Sequence, residues 1–396
     1  MIPSTKPWKF LLGLMVALAL VSAALARPLL PMFQWFLVSH RDVMIVWFII
    51  FSVCSIAALT WRISPGLTWI LLAYLVSAWF YGFRGDTLTN VWMLVGASLI
   101  LLLLTDAWQA HRPVILFGLL VGVLANILVG LMQAFVTDIG IPAPAGLVFR
   151  DPFFAIARQV REVEGLATHY SLLIAVLVIS LPLLVQAYRL GWTLILPTAY
   201  FIYFAGHRSG AMAMGSLLLL APKRWRKWAV VLVLVFASSI VYARGAFSSG
   251  FAEWSPVAWT GDRITLWITT AAKASQKPWL GWGPGSFASW RPTFVHAETK
   301  AGLTWLQAHN EYLQTYFDVG LIGLAAFPVW VGHLTWSLRK ARPWSPELRA
   351  AVAATLSLAW IAFGSFPFRI GITSVVAVVT LAALHGGLRL TDAVRG

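Results

Sequence analysis

Apolar residues run in long continuous blocks from one end of the chain to the other, with polar residues gathered in the gaps between them. Twelve blocks read as helical spans: 8–26, 43–60, 66–82, 88–105, 113–136, 168–187, 190–206, 209–222, 228–243, 318–337, 350–364 and 370–388. Most approach or reach the length a helix needs to cross a hydrocarbon core of about 30 Å. They are unbroken runs without the period-2 alternation of a barrel strand, so a β-barrel is excluded. The first block follows Lys6 and Lys9 and ends in Ala24-Leu25-Ala26, faintly like a signal-peptidase site. Its apolar core is long for a signal peptide, and it is read as a retained first span. The expected fold is all-α, a polytopic membrane protein of about twelve transmembrane helices.

The polar gaps orient these spans. With the N-terminus inside, the inner gaps hold Arg62, Arg112, Arg189, the Lys223–Lys227 cluster, Arg339, Lys340, Arg342, Arg349, Arg389 and Arg395. The short outer gaps hold only Arg27, Arg41, Arg84, Arg208 and Arg369. Basic residues near spans resist translocation, so both termini are expected in the cytoplasm. Two outer segments stand out, 137–167 and 244–317, and the second is the only one large enough for a small extramembrane domain. The expected organisation is therefore 1–243 with nine spans, 244–317 as a periplasmic loop domain, and 318–396 with the last three.

Composition sharpens this picture. Sixty per cent of residues are apolar, 11% are charged and the mean hydropathy is +0.80, whereas soluble domains carry roughly 25% charged residues. The net charge of +15 does not point to nucleic acid, because no basic stripe interleaved with aromatics lies on a soluble module. Much of it sits beside spans, where membrane proteins carry it for orientation. The lone Cys54 lies inside an apolar block, so neither a disulfide framework nor a cysteine-based metal site exists.

Candidate chemistry concentrates in three places. The segment from Gln307 to Gly323 contains His309, Tyr312, Tyr316, Gly320 and Gly323 at spacings that place them on one stripe of a helix. The glycines there would admit a neighbouring helix closely. His309 would stand at the outer mouth, and a neutral imidazole, of ordinary pKa about 6.5, suits removal of a proton from a sugar hydroxyl. On spacing alone the stripe equally fits a packing helix with an interfacial histidine. Arg208, in the turn Ala205-Gly206-His207-Arg208-Ser209-Gly210, opposes the orientation signal; it fits either a ligand contact or a side chain snorkelling to headgroups.

Arg263 falls in the first turn of a helix begun by Thr260-Gly261-Asp262, the wrong end for a cation. An anionic ligand would relieve that conflict, as would pairing with Asp262 or Glu253. The run Pro278 to Gly285 is rich in glycine and proline, which implies tight turns that bring backbone N–H groups close to something. Glu162 and Glu164 are the only closely spaced outer carboxylates, and they read as a solvated loop. No Asp-x-Asp signature, Walker-type loop or serine elbow is present, and neither a metal nor a cofactor is expected.

These motifs resemble the O-antigen ligase and O-antigen polymerase superfamily of membrane glycosyltransferases. The resemblance rests on His309-Asn310-Glu311-Tyr312-Leu313 followed by Gly320-Leu321-Ile322-Gly323, on Asp262-Arg263-Ile264-Thr265-Leu266-Trp267 with the Pro278–Phe287 run, and on His207-Arg208-Ser209-Gly210. It implies a glycan donor on undecaprenyl pyrophosphate and an acceptor that is lipid A–core or another glycan, all at a membrane lipid surface, with no nucleic acid partner. His309 matches the family's essential histidine, Arg208 the arginine of the short outer turn, and Arg263 that of the long loop. His207 departs from the pattern, since the family more often has Ser or another small residue there, and this leaves open which of the two side chains faces the site.

The resemblance implies a metal-independent inverting transfer, with Arg208 and Arg263 on the pyrophosphate and His309 as base. Arg161 and Arg291, also on outer segments, are further candidates for substrate contact, with Tyr312 and His207. Ligase is favoured slightly over repeat-unit polymerase because of compactness and the single large outer loop; protein O-glycosylation is a third acceptor class. The chief non-enzyme rival is a lipid-linked sugar transporter. It is disfavoured because transporters place ionisable or unwound segments near the midplane, whereas here the spans are almost free of charge. A peptidoglycan polymerase of the shape, elongation, division and sporulation type is disfavoured because the His309 and Arg263 motifs match the O-antigen group better.

Overall fold

The computed structural model describes residues 64–81, 86–135, 170–205, 207–248, 263–290, 292–295, 302–365, 367–368 and 371–395. The expected spans 8–26 and 43–60, Cys54, the segment 137–167 with Arg161, Glu162 and Glu164, and also Glu253, Asp262 and Arg291 lie outside the described residues.

The elements are α1 (Pro65–Tyr81), α2 (Asp86–Phe135), α3 (Tyr170–Ala187), α4 (Ile195–Ala205), α5 (Arg208–Met214), α6 (Arg226–Ser248), α7 (Arg263–Ala274) and α8 (Ser286–Trp290). Two short strands follow, β1 (Thr293–Val295) and β2 (Gly302–Thr304), and then α9 (Glu311–Leu324), α10 (Ala326–Lys340), α11 (Pro346–Gly364) and α12 (Gly371–Arg395). The strands pair antiparallel with Phe294 opposite Leu303, the one departure from the expected all-α pattern among the described residues.

The core is a helix bundle around α3 and α11. Every side chain of α3 from Ser171 to Val185 is buried, as expected of a helix that is apolar all round. It packs on α11, α12 and α2, and α11 also packs on α12 and α5. The buried Ala350, Ala351, Ala353 and Ala354 let these backbones approach closely. Local chemistry starts α11 cleanly: Ser345 accepts the Leu348 N–H as N-cap, Pro346 opens the first turn, and Glu347 complements the helix dipole.

Three helices are long and apolar enough to cross a membrane: Met93–Leu131 within α2, α11, and Ile372–Leu390 within α12. The pair α9 and α10, bent by 64°, makes a fourth if counted as one span, and α1 and α3 are shorter apolar helices. Two expected boundaries are corrected. The spans 88–105 and 113–136 form one 50-residue helix, α2, because the residues between them hold no glycine and Pro113 is accommodated inside the helix. The expected span 209–222 is the seven-residue α5 followed by a 3-10 stretch, Gly215–Leu219, about 20 Å in all, which is short of a hydrocarbon core.

Candidate functional site

Three segments that lie far apart in the chain meet at the Gly364 end of α11. Arg263, the first residue of α7, donates from Nη1 to the Gly364 carbonyl at 2.7 Å. A Cβ built on Gly364 would lie 2.6 Å from Ser209 Oγ and 3.7 Å from Arg263 Nη1, so the His207–Gly210 turn and α7 close on the same glycine. One turn into α7, Trp267 stacks edge-on against Phe363 with ring centres 5.4 Å apart, and its Nε1 donates to the Ala308 carbonyl at 3.0 Å. Tyr312 completes the group, its hydroxyl donating to the Ala359 carbonyl at 3.2 Å.

Each side chain is placed by its own local structure. His207 is the N-cap of α5: its Nδ1 accepts the Gly210 N–H at 3.0 Å, and the ring is buried. The imidazole is thus held as a cap, while the half-buried Arg208 opens the helix. Arg263 does sit in the first turn of its helix, and its bond to the C-terminal carbonyl of α11 offsets part of the electrostatic conflict. That bond uses one of the five guanidinium N–H groups and fixes the plane of the rest.

His309 is not on the helix stripe expected for it. Asn310 is the N-cap of α9, with its side chain accepting the Leu313 N–H, and His309 precedes the cap in a left-handed conformation, φ 51°. Its ring meets Trp305 edge-on at 5.0 Å. Two enclosed polar atoms lie just before it in the chain, Trp305 Nε1 and Gln307 Oε1, and neither finds a hydrogen-bond partner among the described residues.

The stripe also fails at its other end, because α9 breaks at Gly320, φ 68° and ψ −165°. Among the described residues no helix makes the closest approach to Gly320. The Pro278–Gly285 run does, and a Cβ on Gly320 would lie 2.2 Å from the Trp279 carbonyl oxygen. Leu321 and Ile322 donate to the carbonyls of Pro278 and Trp279, and Trp282 and Gly283 donate to those of Phe317 and Asp318. What the turn-forming glycines bring backbone N–H groups towards is therefore this broken helix, whose freed carbonyls must be satisfied within the protein. From α1, Ser77 and Tyr81 donate to Leu280 and Gly281 and tie the assembly to the bundle.

The sequence reading missed a second stripe on α9. Glu311, Gln314 and Asp318 are all buried, at offsets 3 and 7. Glu311 accepts the Phe368 N–H, and Gln314 bridges the Ala308 N–H and the Asp318 carboxyl. Three polar side chains on one face of a helix that is otherwise largely apolar were the available signal. Below Glu311 and Tyr312 opens a cavity of ≈ 220 Å³, walled mostly by apolar side chains such as Leu67, Met93, Phe327 and Trp330, with His385 among its lining residues. Among the described residues no group of three or more His, Cys, Asp or Glu is placed to share a metal ion.

Apolar spanning helices with polar side chains gathered at one end of the bundle define an integral membrane protein with a built polar site. Residues 192–327 match a family model described as O-antigen ligase. That stretch, less than half of the chain, supports the resemblance to the O-antigen ligase and O-antigen polymerase superfamily, whose members are glycosyltransferase-like ligases and polymerases. The matched stretch contains Arg208, Arg263 and His309. No curated protein matches the chain.

Proposed function

We propose that the protein is an O-antigen ligase that moves a glycan from undecaprenyl pyrophosphate to lipid A–core at the periplasmic face of the inner membrane. The observation that carries this reading is the meeting of residues 207–210, 263–267 and 308–312 around Ala359–Gly364. In this reading Arg208 and Arg263 hold the pyrophosphate in charge-assisted contacts, and no metal is needed. His309 takes the proton from the acceptor hydroxyl as its oxygen attacks the anomeric carbon. The bond from that carbon to the phosphate oxygen breaks on the opposite side, undecaprenyl pyrophosphate leaves with the electron pair, and the anomeric configuration inverts.

Other features fit the scheme. The apolar cavity beneath Tyr312 is suited to the first isoprene units of a lipid-linked donor. Trp305 Nε1 and Gln307 Oε1 are a donor and an acceptor of the kind that sugar hydroxyls pair with. α11 is 19 residues, about 28 Å, so the site stands about one hydrocarbon thickness from the basic residues around Arg349. That separation agrees with a basic cytoplasmic end and a periplasmic site. Arg161 and Arg291 remain proposed substrate contacts.

Deletion followed by lipopolysaccharide gel analysis tests the assignment. Bare core with free lipid-linked polymer is the expected result, whereas core carrying a single repeat unit identifies a polymerase. Transfer by the purified protein should persist in EDTA; strict dependence on added Mg²⁺ or Mn²⁺ would overturn the two-arginine scheme.

A further inference from the structure

The backbone that carries His309 is held at both peptides that flank the Ala308 Cα, one by Gln314 and the next by Trp267. Ala308 is fully buried; its N–H donates to Gln314 Oε1 at 2.7 Å, and its carbonyl accepts from Trp267 Nε1 at 3.0 Å. Gln314 in turn donates from Nε2 to Asp318 Oδ1 at 3.3 Å, with both side chains buried. The direction of this chain is set by its ends. A peptide N–H can only donate, so the amide oxygen of Gln314 faces Ala308 and its NH₂ group faces the carboxyl. Asp318 is itself anchored, because its backbone carbonyl accepts from Gly283 N–H and Ser77 Oγ.

Such an arrangement has a specific consequence one residue further on. His309 is held at φ 51°, a conformation costing about 1–2 kcal/mol for a residue with a side chain. Asn310 fixes the following peptides as N-cap, and Trp267 and Gln314 hold the two preceding ones. The amide satisfies the buried Ala308 N–H, which an apolar side chain would leave without a partner, and the carboxyl satisfies the amide in turn.

We propose that Gln314 and Asp318 are positioning residues for His309, acting through the Ala308 peptide to aim the imidazole at the acceptor hydroxyl. The proposal rests on His309 being the base. It concerns placement and not substrate binding, so its signature falls on kcat. A base displaced by about an ångström loses on the order of 10²-fold in rate.

The test uses the full chain in lipid nanodiscs, with a lipid-linked glycan donor and a lipid A–core acceptor, and initial rates measured against donor concentration. Gln314→Leu should lower kcat by about 10²-fold with little change in the donor KM. Gln314→Glu alone should be at least as slow, because it faces two carboxyls across 3.3 Å. The paired exchange Gln314→Glu with Asp318→Asn keeps every donor facing an acceptor, and it should recover most of the lost kcat. His309→Ala, assayed in parallel, should be inactive.

If His309→Ala is active, the reading of the base fails and this proposal fails with it. If His309→Ala is inactive while Gln314→Leu keeps wild-type kcat, only the positioning role is overturned. Should Gln314→Leu fail to insert, the paired exchange decides: a kcat no better than that of Gln314→Glu alone overturns the proposal.

Discussion

At the Pro346 end of α11, charge meets charge at the surface. Glu347 lies 3.8 Å from Arg112 of α2, and nearby Arg389 pairs with Asp106, all four side chains being well exposed. At the Gly364 end the partners are of another kind. Arg263, Trp267 and Tyr312 each donate to a backbone carbonyl, and the His207 ring accepts a backbone N–H. Exposed ion pairs are screened by water and salt and contribute about 0–1 kcal/mol. Polar bonds in enclosed surroundings are costly to leave unmade, because the stranded group keeps its desolvation penalty. The basic end spends its charge on exposed pairs, whereas the end at Gly364 spends its donors on fixing geometry.

Substitutions at the two ends should therefore diverge, and the largest effect is expected at the site. His309→Ala or Arg263→Ala should abolish glycan transfer while the protein still inserts, as read by transfer assays on membranes with matched protein content. Near wild-type rates in either variant would erase the distinction drawn here. Gly320→Ala comes next. It forces a Cβ to within 2.2 Å of the Trp279 carbonyl at a left-handed φ, and a loss of about 3 kcal/mol or more is expected in thermal unfolding of the solubilised protein.

Tyr312→Phe should be milder. It removes one hydroxyl bond to Ala359, worth about 1 kcal/mol, and should lower activity severalfold without loss of insertion. The smallest change belongs to the other end of α11. Glu347→Gln should alter unfolding by no more than about 0.5 kcal/mol and leave transfer at the wild-type rate, because its partner Arg112 is 3.8 Å away and both are substantially exposed. A large loss there would mean that the basic end is a structural clamp as well.

Much of the helix content was legible because long apolar runs admit few alternatives in a membrane. The expected 66–82 and 168–187 correspond to α1 and α3 within about two residues, and 350–364 and 370–388 fall within the longer α11 and α12 to within one residue. The Arg263 helix start was readable too, from its turn residues. The break between 105 and 113 was misjudged, since Asp106 and Arg112 look like loop residues until the distant Arg389 and Glu347 are seen to pair with them. Helical spacing likewise placed His309 on the face of α9, whereas Asn310 takes the cap and leaves His309 outside the helix.

The sequence by itself determined that the chain is a helical membrane protein, which motifs are candidates for its chemistry, and which family those motifs resemble. These follow from local properties: the length of apolar runs, the placement of basic residues, and short ordered motifs. Only the tertiary structure decided that Gly364 joins Ser209 to Arg263, that the Pro278–Gly285 run fills the break at Gly320, and that Trp267 holds Ala308. Those contacts link residues distant in the chain, and hydrogen bonds between such residues leave no periodic trace in a sequence because their spacing is set by the packing of whole helices.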